Sequence, residues 1–188
     1  MKEKKGFDTK SMVLCALFTA LIAAGAFIKI PVPMVPFTLQ FLFTNMAGLL
    51  LGKRYGFLSV ALYMLIGLIG IPVFTAGGGP GYIFQPTFGY IIGMACGAWV
   101  AGYVVERGNK GMKSYLAAGF INLAIVYIFG MIYYYFMAKY HLGNPIGAKA
   151  LLIYCCLVFL PGDGLSCVVG ALLAKRLRPI AFKRKAVA

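Results

Sequence analysis

Acidic side chains are scarce in this 188-residue sequence, which contains four Asp and Glu residues and one His. Glu3, Asp8 and Glu106 lie in or beside basic segments, so Asp163 is the one acid inside a long apolar run. Acid/base and nucleophilic chemistry, such as that of a membrane enzyme acting on lipid, needs more than one ionisable partner at the same depth. The sequence therefore predicts no catalytic residues and no enzyme.

Metal-binding and phosphate-binding motifs are also missing. The five Cys residues show no CxxC or Cys/His spacing, lie mostly inside apolar runs and are interpreted as small packing residues. The "GGGPG" stretch at residues 77–81 is not followed by GK[ST], which argues against a phosphate-binding loop. We therefore predict no metal site and no cofactor bound to this chain.

Apolar residues are abundant, since 62% of the sequence is hydrophobic. This leaves too little polar surface for a soluble globule and indicates an integral membrane protein. Because lipid requires an internally hydrogen-bonded backbone, the long uninterrupted apolar runs predict helices rather than barrel strands. We expect one all-α, six-helix membrane domain over residues 1–188, with basic tails at 1–10 and 175–188. The predicted spans are 11–28, 37–52, 57–73, 86–105, 114–137 and 149–174, the first being a span rather than a cleaved signal peptide.

The positive charges are distributed unevenly between the connections. Counting alternate connections places 15 of the 18 Lys and Arg residues on one side. By the positive-inside rule, both termini are predicted to be cytoplasmic and the number of membrane spans to be even. Since the cations are divided among separate clusters, the formal net charge of +14 does not indicate a nucleic acid partner.

Two outward connections have unusual compositions. The first, residues 29–40, contains Pro31, Pro33 and Pro36, and after these prolines the polar Thr38 and Gln40. The third, residues 74–85, is rich in glycine and carries no charge. Irregular backbone near membrane depth is tolerated where it is buried in protein or lines a polar cavity. The two loops are therefore predicted to cover a binding site, although ordinary exposed turns would have a similar composition.

Asp163 lies in "VFLPGDGLSCVVG", in the middle of the last apolar run. An ionised Asp at the centre of a membrane helix costs about 2.5–3.5 kcal/mol on insertion scales, so it is a candidate functional residue. Pro161 and Gly162 interrupt the helix just before it, which would place the carboxylate near the positive end of a new half-helix. A helix cap without a ligand is the alternative interpretation.

Small residues recur at four-residue spacing in two of the predicted helices. They are Ala16, Ala20 and Ala24 in the first, and Gly89, Gly93 and Gly97 in the fourth. Such stripes allow close helix approach, either within the bundle or against a partner. The sequence does not choose between these two roles.

Four motifs together carry a resemblance to a known family. "GKRYGFLSVALYMLIGLIGIPVF", "GGGPGY", "PTFGY" and "LPGD" occur in an order and spacing that resemble BioY, the biotin-specific S-component of energy-coupling factor (ECF) transporters. The resemblance implies biotin capture on the outer side, under loops 29–40 and 74–85. It also implies two kinds of partner, a transmembrane coupling protein and two cytoplasmic ATPase subunits. The ATPase subunits, and not this chain, would use ATP. Ala16, Ala20 and Ala24 match the family's AxxxA docking pattern.

The same resemblance identifies candidate ligand-binding residues. Asp163 matches the aspartate that binds substrate and would accept hydrogen bonds from the N–H groups of the ureido ring. The sequence has Ser166 where many members have Lys, and Phe88 where "PTGGY" has its second glycine. Further candidates in the loops and spans are Thr38, Gln40, Gly78, Gly79, Tyr82, Gln85, Tyr90 and Asn122. The biotin carboxylate has several candidate donors, namely Tyr82, backbone N–H groups at 77–79 and Lys29. Another small vitamin as ligand, or a structural membrane protein, remains as an alternative.

Overall fold

The computed structural model describes residues 8–30, 35, 37–109, 111–144 and 146–182. Five helical segments within this part are long and apolar enough to cross a membrane. The predicted tail residues 1–7 and 183–188, and Pro31, Pro33 and Pro36, lie outside the described residues. The helices are α1 (Thr9–Phe27), α2 (Gln40–Leu68), α3 (Phe88–Arg107), α4 (Met112–Tyr140), α5 (Ala148–Leu152) and α6 (Leu160–Ala181).

Helix α1 begins at a side-chain cap. The Asp8 carboxylate accepts hydrogen bonds from the Ser11 backbone N–H (3.3 Å) and the Ser11 hydroxyl (2.9 Å). This arrangement satisfies one of the unpaired donors of the first turn. The hydrogen bond from the Ser11 hydroxyl lowers the pKa of Asp8. The acid predicted to lie in the basic N-terminal segment is thus part of the helix start.

Helix α2 contains most of two predicted runs, 37–52 and 57–73, and is interrupted at Gly52. This residue has φ 79° and ψ −177°, a conformation that glycine adopts without a steric penalty. A Cβ atom built on Gly56 would lie 2.7 Å from the Cα atom of Gly48. Residues eight apart on a straight helix are separated by about 12 Å. The chain therefore folds back at Gly52, and the 40–51 and 53–68 halves of α2 pack against each other.

Glu106, near the end of α3, stabilises the start of the second half of α2. Its carboxylate accepts a hydrogen bond from the Lys53 backbone N–H at 3.0 Å and lies 3.8 Å from the Lys53 ammonium group. A carboxylate at the first backbone N–H groups of a helix satisfies unpaired donors and interacts favourably with the helix dipole. This contact joins α3 to the point where α2 reverses.

The bundle is packed through small residues. Gly48 approaches the backbone of Ala98 in α3, and Gly93 of α3 approaches the backbone of Val126 in α4. The Thr19 hydroxyl of α1 donates to the Ser59 carbonyl oxygen in the second half of α2, with a distance of 3.1 Å. These contacts place α3 between α2 and α4 and place α1 against the second half of α2.

The loops predicted at residues 29–40 and 74–85 contact each other at one end of the bundle. Lys29–Ile30 (β1) and Phe37–Thr38 (β2) form a short antiparallel pair, with Lys29 opposite Thr38. The Lys29 ammonium group donates to the Thr75 carbonyl oxygen at 3.0 Å, which connects this hairpin to the 74–85 loop. The second loop contains a 3₁₀-helix at Pro80–Phe84. Both loops are thus held by hydrogen bonds across the end of the bundle.

The last predicted run, 149–174, is interrupted as expected. A π-helical turn at Ile153–Leu157 follows α5, and α6 begins at Leu160 with Pro161 in its first turn. Proline is well tolerated there, because the first backbone N–H groups of a helix have no intrahelical acceptor. Asp163 therefore lies in the first turn of α6, which confirms the predicted position. Helix α6 also continues to Ala181, into the segment predicted as a basic tail.

Candidate ligand-binding site

A cavity lies beneath the two loops. It contains about 620 Å³ of space free of protein atoms, part of which is open to the surroundings. Its polar lining comes from the loops, the helix ends around them and the middle of α4: Thr38, Gln40, Thr75, Tyr82, Thr87, Tyr90, Tyr127 and Asp163. Its apolar lining comprises Val35, Phe37, Phe41, Ile91, Met94, Val126 and Phe159. A mostly apolar cavity with a few convergent polar groups is typical of a small-molecule site.

Asp163 is the charged residue among the lining side chains, and it is 7% exposed. The Tyr127 hydroxyl of α4 donates to its Oδ2 atom at 2.7 Å. The backbone N–H of Asp163 donates to the Phe159 carbonyl oxygen at 2.9 Å, so the residue is held within the first turn of α6. The positive end of the helix dipole favours the ionised carboxylate at this position. The carboxylate is thus a positioned hydrogen-bond acceptor for a ligand N–H group.

Gln40, the first residue of α2, supplies the complementary group. It is 4% exposed and lines the cavity. Its Nε2 atom makes no full hydrogen bond with the described residues, and the Tyr63 hydroxyl is a polar neighbour of its amide. Because an unpaired buried amide N–H is costly, a ligand acceptor in the cavity would be stabilised by it. The site therefore offers both an anionic acceptor and a neutral donor.

Three hydroxyl groups form a chain on the loop side of the cavity. The Thr75 Oγ1 and Tyr82 Oη atoms are 2.9 Å apart, and Tyr82 Oη is 3.4 Å from Thr87 Oγ1. The Tyr82 ring packs on Phe74, with 4.3 Å between the ring centroids. Hydroxyl groups both donate and accept hydrogen bonds, so this chain can reorient toward a polar ligand group.

Five of the ten residues predicted from the sequence line the cavity: Thr38, Gln40, Tyr82, Tyr90 and Asp163. Tyr90 contributes its ring, because its hydroxyl already donates to the Cys155 carbonyl oxygen at 2.8 Å. The predicted interruption before Asp163 and the two covering loops are the features that bring these side chains together.

The structure does not place the other five predicted residues along the cavity. Gln85 is exposed, and Ser166 donates to the Gly162 carbonyl oxygen at 3.0 Å within its own helix. Asn122 is fully buried and donates to Asn45 at 3.0 Å. Gly78 is exposed and approaches the Ile71 carbonyl oxygen, while the N–H of Gly79 donates to the Gly67 carbonyl oxygen at 2.7 Å. Gln85 and Gly78 thus lie at the surface, whereas the Ser166 hydroxyl, the Asn122 Nδ2 group and the Gly79 N–H donate within the protein.

Three polar lining residues, Thr75, Thr87 and Tyr127, were not predicted as site residues from the sequence. Tyr127 is one of six tyrosines in α4, and nothing in the local pattern distinguishes it from the others. Thr75 follows Phe74 at the start of the loop and becomes recognisable only through its contact with Tyr82. Lys29, a candidate for the ligand carboxylate, instead contacts the Thr75 carbonyl oxygen.

The two small-residue stripes have different surroundings. Ala16, Ala20 and Ala24 are exposed on α1. The stripe of α3 faces α4, where Gly89 approaches Tyr133 and Gly97 approaches Asn122. The glycine stripe is therefore packing within the bundle, whereas the alanine stripe is open to a partner or to lipid.

Comparisons of the sequence and of the fold with known proteins point to the same family. The sequence matches the BioY family over residues 1–183. It is 42% identical to "Probable biotin transporter BioY" of Lysinibacillus sphaericus, covering 96% of this chain and 92% of that protein. It is 37% identical to "Biotin transporter BioY" of Thermotoga maritima, covering 93% and 99%. The fold is similar to the crystal structure of the S-component for biotin from an ECF-type ABC transporter, with a TM-score of 0.78, 29% identity and 90% coverage of both chains.

Proposed function

Because the chain belongs to the BioY family, we propose that it captures biotin in the cavity beneath residues 29–40 and 74–85. It acts in biotin uptake as the substrate-binding subunit of an ECF-type importer and is not an enzyme. Relatives named as biotin transporters match nearly the whole chain. The observation that carries the proposal is the buried Asp163 carboxylate at the start of α6, directed into the cavity beside Tyr127.

The ureido ring of biotin has two N–H donors and one carbonyl acceptor. In the proposed mode, Asp163 accepts from the N–H groups through charge-assisted bonds, about twice as strong as neutral ones. The Nε2 group of Gln40 is the candidate donor to the ring carbonyl. The thiophane ring and the aliphatic chain find apolar surface on residues such as Met94 and Phe159. The donors and acceptors of the site thus match those of the ring.

The biotin carboxylate requires donors at the other end. The 77–79 backbone was one candidate, but the N–H groups of Gly77 and Gly79 donate to carbonyl oxygens of Phe74 and Gly67. The hydroxyl chain of Thr75, Tyr82 and Thr87 remains available along the cavity. We therefore assign the carboxylate to this chain of hydroxyl groups.

A purified sample in detergent tests the ligand. Biotin should raise the melting temperature and bind saturably in calorimetry, whereas riboflavin, thiamine and folate at the same concentrations should not. Biotin methyl ester should bind more weakly if hydroxyl groups hold the carboxylate. Selective stabilisation by another vitamin would identify the chain as an S-component for that vitamin. Stabilisation by none would favour a structural role.

The exposed alanine stripe of α1 is proposed to dock the transmembrane coupling protein. Small side chains allow two membrane helices to approach closely, and Ala16, Ala20 and Ala24 lie on the exposed face of α1. Two cytoplasmic ATPase subunits would complete the importer and use ATP, with no cofactor held by this chain. Ala20→Trp should abolish coupled uptake and leave biotin binding intact. Ala124→Trp, at an exposed alanine of α4, is the matched control and should leave both intact.

We further propose six membrane spans with both termini in the cytoplasm of a prokaryotic cell. The reversal of α2 at Gly52 supports two spans within its 29 residues. In a cysteine-free background, Gly79→Cys should react with an impermeant thiol reagent added outside, and Asn109→Cys should react only after lysis. The opposite pattern would overturn the orientation.

A further inference from the structure

A second groove lies on the lateral surface, away from the biotin site. It runs between the second half of α2 and α3 and is lined by Phe57, Cys96, Trp99 and Val100. We call it the lateral groove. It contains about 580 Å³ of space free of protein atoms, including space open to the surroundings. Phe57 is 41% and Trp99 46% exposed. Both walls are helices that are long and apolar enough to cross a membrane.

Aromatic and basic side chains extend from one end of the lateral groove. Tyr103 lies one turn beyond Trp99 on α3, and the two rings are stacked with centroids 5.7 Å apart. The Arg107 guanidinium carbon is 4.6 Å from the Tyr103 centroid, and the Lys53 Nζ atom is 5.3 Å from it. Lys53 precedes Phe57 by one turn of α2. Lys53 and Arg107 therefore both lie over the Tyr103 ring, at one end of the lateral groove.

The local charge at this end of the groove is positive. Lys53 is 3.8 Å from Glu106, with the two side chains 43% and 35% exposed, so this ion pair is only partly shielded from solvent. Arg107 is exposed. Among the described residues, Glu106 is therefore one acid beside the two cations Lys53 and Arg107. Tyrosine and tryptophan are enriched at the level of lipid headgroups, which fits this end of the helices.

We infer that the lateral groove binds an anionic glycerophospholipid. Its phosphate contacts Lys53 and Arg107, and one acyl chain fills the space between Phe57, Cys96, Trp99 and Val100. Basic sites between membrane helices on the cytoplasmic side are suited to acidic headgroups. The occupant is a lipid rather than a free anion, because the cations continue into an apolar groove that only a hydrocarbon chain can fill. With the proposed orientation, the lipid comes from the inner leaflet.

Native mass spectrometry of the full chain tests this inference with defined lipids. Phosphatidylglycerol and phosphatidylcholine with identical acyl chains are added separately, and the apparent Kd of each first adduct is measured. Phosphatidylglycerol should bind at least tenfold more tightly. The double variant K53Q/R107Q should weaken its binding by about 30-fold, roughly fivefold for each cation near the surface. Phosphatidylcholine binding should change less than twofold.

The matched control is K175Q/R176Q, which removes two exposed cations from α6. It should leave phosphatidylglycerol binding unchanged. Cys96→Trp should weaken phosphatidylglycerol binding with the cations intact, because it fills the groove, and excess inorganic phosphate should not displace the lipid. Every variant should retain biotin binding, which shows that the fold is preserved. Equal loss in the α6 control, no preference for the anionic lipid, or displacement by phosphate would overturn the inference.

Discussion

Two hydrogen bonds link α4 to neighbouring helices, and they differ in what surrounds them. The Tyr127 hydroxyl donates to Asp163 at 2.7 Å, and five residues earlier in α4 Asn122 donates to Asn45 at 3.0 Å. The Tyr127–Asp163 pair lines the cavity. The Asn122–Asn45 pair has no exposed surface and is enclosed by Gly97, Gly119 and Gly170.

The difference separates a binding role from a packing role. A polar group in an apolar helix needs a partner, but the partner can be another helix as well as a ligand. The sequence predicted both Asp163 and Asn122 as ligand contacts. Asp163 lines the cavity and Asn122 does not. The glycines around Asn122 let the neighbouring helices approach closely there. Each pair should therefore respond differently to substitution.

The largest effect is expected at the cavity pair. Asp163→Asn removes the charge but keeps the size, and hydrogen bonds to charged groups contribute about 1.5–3 kcal/mol against about 1 kcal/mol for neutral ones. Biotin affinity should fall by about 5- to 30-fold in isothermal titration. The melting temperature without ligand should be unchanged or higher, because the cost of placing a charge in the membrane disappears. Unchanged affinity with a lowered melting temperature would make Asp163 a structural cap.

The next effect concerns the neutral donor of the cavity. Gln40→Leu replaces the polar amide by an apolar side chain of similar size and removes the Nε2 donor, so biotin affinity should fall about fivefold, or about 1 kcal/mol. Gln85→Leu is the same substitution at an exposed position outside the cavity. Titration should show no change for this control. Similar losses in both variants would place the Gln40 amide away from the ligand.

A smaller effect is expected at the enclosed pair. Asn45→Ala, Asn122→Ala and the double variant form a cycle, measured by unfolding in mixed detergent micelles. The coupling free energy should be about 0.6 kcal/mol, the average for hydrogen bonds between membrane helices. Biotin affinity should remain within twofold of the parent in each folded variant. A selective loss of affinity would extend the binding site to Asn122.

The smallest effect is expected at the junction of the two loops. Lys29→Met removes the exposed hydrogen bond to the Thr75 carbonyl oxygen, and such contacts contribute little to stability. Biotin affinity should change by less than twofold. A loss of fivefold or more, restored by Lys29→Arg, would instead make Lys29 a partner of the biotin carboxylate and extend the site to the rim.

The sequence was informative where local chemistry is unusual. Asp163 was identified because a carboxylate in an apolar run is costly, and the Pro161–Gly162 pair correctly located the start of α6. Thr38, Gln40 and Tyr82 were found because they lie in loops whose composition is unusual between membrane helices. Tyr127 was missed because an apolar helix tolerates tyrosine at many positions. Ser166 and Asn122 were predicted as contacts because their polarity does not reveal where a helix directs them.

Composition and local order by themselves determined that this protein lies in the membrane as apolar helices, and that Asp163 lies in the first turn after an interruption of the last apolar run. Both follow from the free energy of placing single residues in hydrocarbon, which needs no neighbours. Only the tertiary structure decided that Tyr127 meets Asp163, that Asn122 meets Asn45, and that the alanine stripe of α1 stays exposed while the glycine stripe of α3 is buried. These outcomes depend on the rotation of each helix about its axis and on which small residues let two backbones approach. Each of these contacts depends on two segments that are far apart in the sequence, because helix packing requires two complementary helix faces.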